Sequence, residues 1–127
     1  MAARSTHEPA TLDQGVVVIY GGCTGAGNAT PTSVLGAGVS SIAYVSTGKY
    51  TITLSDKWNK FLLFSSCVID TTTEDDWEVV VTAEAVATSK TVSITVFKGG
   101  TAADLSTDEK LKFAITVSHT SAPPSAR

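Results

Sequence analysis

Apolar residues in the second half of this chain recur at every second position, the period of a half-buried β-strand. Trp77, Val79, Val81, Ala83 and Ala85 alternate with Glu78, Val80, Thr82, Glu84 and Val86. After a reversal at Thr88-Ser89-Lys90, Val92, Ile94 and Val96 alternate with Thr91, Ser93 and Thr95. Leu111, Phe113, Ile115 and Val117 then alternate with Lys110, Lys112, Ala114 and Thr116. No stretch shows the 3.6-residue period of an amphipathic helix, so the chain is confined to sheets whose neighbours are joined by short turns.

The first half is read the same way. Val16-Val17-Val18-Ile19-Tyr20 is a continuous β-branched run, expected as a short strand buried on both sides and ended by Gly21-Gly22. Residues 21–38 are expected as a long Gly-rich loop. From Val39 a hairpin turns at Thr47-Gly48, and Tyr50, Ile52 and Leu54 face inward with Lys49, Thr51 and Thr53 outward. Trp58 is expected to plug one end of the core, and Phe61 to Ile69 to form a central strand.

Seven or so strands predict an all-β fold, an antiparallel β-sandwich or a Greek-key, jelly-roll-like barrel. A chain of 127 residues has room for one such core. Residues 15–119 are expected as that single domain, 1–14 as a flexible polar N-terminal arm and 120–127 as a loose tail carrying Pro123-Pro124.

Nine basic against twelve acidic residues leave a net charge of −3, without the basic excess that phosphate neutralisation needs, so no nucleic-acid partner is expected. No run approaches the roughly 20 apolar residues of a membrane helix, and Met1 to Gln14 lacks the apolar segment of a signal peptide. Synthesis and folding in a reducing cytoplasm are expected. Cys67 falls in an apolar run and is expected buried, while a Cys23–Cys67 bridge stays open.

Gly21-Gly22-Cys23-Thr24-Gly25-Ala26-Gly27 after a β-branched strand has the spacing of a dinucleotide-binding turn. That chemistry needs a helix directly after the glycines and an acid about 20 residues on. Here Asn28-Ala29-Thr30-Pro31 follows and the first acid is Asp56, so a surface loop is expected and no cofactor. Glu74-Asp75-Asp76, with Glu78 nearby, lacks the alternating spacing and glycine of a calcium loop and reads as a solvated turn. Asp104, Asp108 and Glu109 read likewise. His7 and His119 have no neighbour that would make a metal pair or a catalytic base, and no serine sits in a GxSxG elbow. No catalytic residue, cofactor or metal ligand is therefore expected. Trp58, Trp77, Tyr44 and Tyr50 could stack on sugar rings, but their neighbours favour the core.

Gly38 to Trp58, GVSSIAYVSTGKYTITLSDKW, and Asp76 to Pro123, with its "TVSI", "AADL" and "FAITV" segments, resemble small virion proteins of tailed bacteriophages. Such proteins are similar to head-decoration, or cement, proteins. The resemblance implies a non-enzymatic structural protein on the outer surface of a virion capsid, bridging and stabilising subunits of the major capsid protein. It also implies a homo-oligomer, with a trimer favoured and a dimer possible. A carbohydrate- or receptor-binding β module is the alternative, and a small enzyme a third reading.

Overall fold

The computed structural model describes residues 15–119, which form two antiparallel sheets packed face to face, the sandwich of the two expected arrangements. The strands are β1 (Val16–Thr24), β2 (Thr32–Leu35), β3 (Val39–Ser46), β4 (Lys49–Leu54), β5 (Lys60–Asp70), β6 (Trp77–Ala85), β7 (Thr91–Lys98), β8 (Thr101–Ala102) and β9 (Glu109–Ser118). One sheet has the order β2-β1-β9-β5, the other β3-β4-β7-β6 with β8 paired to β7. The arm and tail expected at residues 1–14 and 120–127 lie outside the described residues.

Period two in the sequence becomes one face of each sheet. Tyr50, Ile52 and Leu54 of β4, Val92, Ile94 and Val96 of β7, and Leu111, Phe113, Ile115 and Val117 of β9 meet in one core. β9 is the centre of its sheet, paired with β1 from Val16↔Ser118 to Thr24↔Lys110 and with β5 along its other side. Its four inward apolar side chains are buried because strands flank it on both sides and a sheet covers it.

Four expectations are corrected. First, Gly21-Gly22 does not end β1: the ladder continues through Gly21↔Phe113, Gly22↔Lys112 and Cys23↔Leu111, and the 21–38 loop is further shortened by β2. A Cβ on Gly21 would lie 2.6 Å from Phe113 Cζ, so glycine here admits a ring. Second, β1 is buried on one side only, with Val18 and Tyr20 pointing out of the sheet. Third, β5 is an edge strand, because β9 occupies the centre. Cys67 consequently sits on its outer face and is exposed. Fourth, Val86 is buried although alternation places it with Glu78 and Glu84. A register shift between Val81 and Ala83 adds one residue to β6 and reverses the faces beyond it.

Candidate functional site

The acidic turn after β5 is organised by Asp70. Its carboxylate accepts hydrogen bonds from the backbone N–H of Thr72 (3.2 Å), Thr73 (3.1 Å) and Asp75 (3.2 Å), and from the Trp77 indole Nε1 (2.9 Å). The bond from Trp77, followed by that from the Thr73 amide, holds Asp70 well below the usual carboxylate range. Lys98 closes the outside of the turn, 3.6 Å from Asp75 and 5.5 Å over the Trp77 ring. Asp70, which the sequence left unmarked, is thus the organising group, and its lone pairs are spent on the turn itself.

A pH dependence follows. The folded-state value of Asp70 is depressed, so its contribution is present above the ordinary value of 3.8 and is lost as pH falls through the lower native one. Asp70→Asn should therefore lower the urea midpoint at neutral pH, and the gap from wild type should begin to narrow below about pH 4 and be smaller at pH 3 than at pH 7. Parallel urea titrations at pH 7 and pH 3 check this. An equal gap at both would show that the charge contributes nothing.

Tyr44, Tyr50 and Asp104 form a second polar group. Asp104 accepts from the Gly48 N–H (2.8 Å) and the Tyr44 hydroxyl (3.3 Å), and the Tyr50 hydroxyl accepts from the Leu105 N–H (2.9 Å). Burial pushes the Tyr50 phenol up to about 12 and, first among several causes, raises Tyr44 as well. The two rings meet edge to face at 5.7 Å. These contacts pin residues 104–105 to the β3–β4 hairpin, so both tyrosines serve the fold. Glu109, buried, accepts from the Ser106 N–H at 2.7 Å and closes the turn before β9. Asp108 donates its own N–H to the Ser106 hydroxyl. His119 lies at the end of β9, its N–H on the Gly15 carbonyl, and His7 lies outside the described residues. Among the described residues no three His, Cys, Asp or Glu side chains are placed to hold a metal ion.

The glycine motif is spent on packing. Gly25 N–H donates to Glu109 O (3.0 Å) and Gly27 N–H to Leu105 O (2.9 Å), so amides that a phosphate would use are taken by carbonyls. A Cβ on Gly25 would lie 2.3 Å from the carbonyl oxygens of Leu105 and Ser106.

The cysteines are free and lie on opposite faces of their sheet, with β9 between their strands. Two strand spacings, roughly 10 Å, exceed the span of a disulfide. Burial, partly offset by Lys112, pushes the Cys23 thiol up to about 11. A thiol reagent should therefore label one cysteine in the native protein, Cys67, and the second only in denaturant. Two equivalents reacting at equal rates in buffer would contradict this placement.

The aromatics singled out in the sequence do not share a face. Tyr50 is fully buried, the Trp77 indole is engaged by Asp70 and Lys98, and Trp58 packs against the core. The aromatic that does stand in solvent is Tyr20, 72% exposed. It was hidden in the sequence inside a run that looked buried throughout.

Around Tyr20 the outer face of the β2-β1-β9-β5 sheet is unusually apolar. Pairing sets Val18, Thr116 and Leu63 in one row, Tyr20, Ala114 and Ser65 in the next, then Leu35, Gly22, Lys112 and Cys67. Val18, Leu35 and Leu63 are each at least 44% exposed. Two shallow depressions of about 300 and 230 Å³ flank Tyr20, both bounded by Lys112. The outward positions of β1, β9 and β5 carry Lys110 and Lys112 and no carboxylate. The opposite sheet shows solvent Glu78, Val80 and Thr82 from β6. An antiparallel sheet ordinarily turns a polar face to water. A contiguous apolar one marks an interaction surface.

Comparison of the chain with known protein families, with characterised proteins and with solved structures gave no match.

Proposed function

We propose that this protein is a non-enzymatic structural component of a virion, which decorates the outside of a phage capsid and stabilises it by bridging subunits of the major capsid protein. The observation that carries the reading is the apolar outer face around Tyr20, bordered by Lys110 and Lys112 of the interior strand β9. Such a face suits a broad protein surface with an apolar patch and acidic neighbours. The capsid as partner is supported by the resemblance of residues 38–58 and 76–123 to phage virion proteins.

The energetics of decoration fit a module of this kind. A protein that binds only the assembled lattice stabilises it by mass action, and copies joined as a homo-oligomer, a trimer in this reading, multiply a modest single contact. A preformed sheet loses little conformational entropy on docking.

Gradient sedimentation of lysate from the source, with fractions probed for this chain, tests the proposal. Co-migration with intact particles and coat protein is the expected result. Retention among slow soluble proteins would overturn it, and glycan-array binding by that soluble fraction would favour the carbohydrate-binding alternative, for which Tyr20 would be the stacking ring.

A further inference from the structure

Strand β5 ends its sheet, paired with β9 along one side and, among the described residues, with no strand along the other. The bonds that flank the β1–β9 ladder fix which of its backbone groups face out. His119 N–H donates to Gly15 O (3.1 Å) and Gly25 N–H to Glu109 O (3.0 Å). Odd-numbered residues of β9 therefore bond to β1, which leaves Lys112, Ala114 and Thr116 to bond their β5 partners Cys67, Ser65 and Leu63. The N–H and C=O of Phe64, Ser66 and Val68 consequently turn to the open edge.

Edge strands ordinarily resist pairing with another chain through charge, proline, a bulge or brevity. The other edges of this fold use these devices: β6 carries Glu78, Glu84 and a bulge, β3 has an irregularity near each end, and β2 is four residues long. In β5 the bulge and the lysine are confined to its start, and the stretch from Leu63 to Ile69 holds neither charge nor proline. The core is also least covered along this side of the sandwich. Phe64 and Val68 of β5 and Val79 and Val81 of β6 are only half-buried, whereas Ile19, Val39 and Ile42 at the far side are buried.

We propose that β5 pairs with β5 of a second copy of this chain, antiparallel about a two-fold axis at Ser66. A two-fold contact needs an edge that complements itself, and the ends of β5 carry opposite charge. Lys57 and Lys60, with Asp56, stand at its start, whereas the exposed Glu74 and Asp76 follow its end. Antiparallel pairing sets each basic end beside the acidic turn of the other copy, and parallel pairing would set like beside like. With Ser66 opposite its counterpart, Phe64 meets Val68 on the inner face and Leu63 meets Ile69 on the outer one. Such aromatic and branched apolar pairs stabilise sheets, and the open N–H and C=O groups of Phe64, Ser66 and Val68 supply main-chain bonds. The contact makes a dimer, where the capsid reading takes a trimer. It rests on the β5 edge and not on that reading, although it would also bring two Tyr20 faces to one side of a continuous sheet.

Sedimentation equilibrium and native-state hydrogen exchange on the full chain test this. The expected results are a dimer mass and protection of the Phe64, Ser66 and Val68 amides that fades by about tenfold or more on dilution through the dissociation constant. The Ser65 and Cys67 amides, bonded to β9, should stay protected at every concentration and report that the domain is folded. Ser66→Lys brings like charges face to face at the axis and should weaken the dimer by at least about tenfold. Glu78→Lys, on the neighbouring edge strand of the other sheet, should leave the dimer intact. A monomer or a trimer at NMR concentrations would overturn the proposal, and so would a dimer in which the Phe64, Ser66 and Val68 amides exchange freely. A monomer that still sediments with particles would overturn this contact while leaving the capsid reading in place.

Discussion

Tyr20→Thr should weaken attachment to particles by more than tenfold while leaving the unfolding midpoint of the free protein nearly unchanged. The ring stands 72% in solvent, so its removal opens no cavity, and threonine keeps the β-branched preference of a strand position. An aromatic anchor at the centre of an interface typically contributes 2 kcal/mol or more, which is about thirtyfold in a single contact. On a lattice the loss compounds wherever joined copies bind together. Leu63→Ser, two strands away on the same face, should act in the same direction with a smaller effect. Val45→Ser provides the control, since Val45 is 60% exposed but lines a depression on the other sheet. Co-sedimentation of purified variants with undecorated particles reads all three. Equal binding by Tyr20→Thr and wild type would remove this face from the proposed function.

The contrast between Tyr20 and Tyr50 shows what the sequence could convey. Tyr50 sits in strict alternation with Ile52 and Leu54, and the polar residues between them betray which side is wet. The same holds for β7 and β9, so the core of both sheets was legible from period two alone. Tyr20 closes a run of five apolar residues in which both faces look alike, and alternation carries no information there. A continuous run has two causes, a strand covered on both sides or a strand whose outer face is kept apolar for a partner, and only the sheet order separates them. The same limit hid the position of β5, because its Phe and Leu content suits a central strand, whereas β9 takes that place through long-range pairing with β1. The bulge in β6 was likewise invisible, since one extra residue changes no composition. Asp70 went unnoticed because its neighbours Glu74, Asp75 and Asp76 are more conspicuous, although a single carboxylate ahead of Thr72 and Thr73 is the one placed to gather the turn's amides.

Phe113 and Gly21 should be coupled, and removing the ring should be among the most damaging single changes available to this fold. Phe113 is 4% exposed, stacks on Phe64 with ring centroids 5.8 Å apart, and lies opposite Gly21 in the β1–β9 ladder. Phe113→Ala leaves a ring-sized void at the centre of the sheet and should cost about 3–5 kcal/mol, a large share of the roughly 5–15 kcal/mol that holds a domain of this size. Gly21→Ala errs the other way. Its Cβ would meet Phe113 Cζ at 2.6 Å and Val39 Cγ2 at 2.9 Å, and the ring is hemmed in by Phe64, so a loss of about 1–3 kcal/mol is expected even though alanine is the better strand residue. In Gly21→Ala combined with Phe113→Leu, the new methyl enters space that the smaller side chain gives up. The double variant should therefore be more stable than the two single losses predict, by roughly 1 kcal/mol. Urea denaturation of wild type, Gly21→Ala, Phe113→Leu and the double variant completes the cycle. Simple additivity would show that the glycine does not make room for the ring, and a glycine in the middle of β1 would need another physical reason.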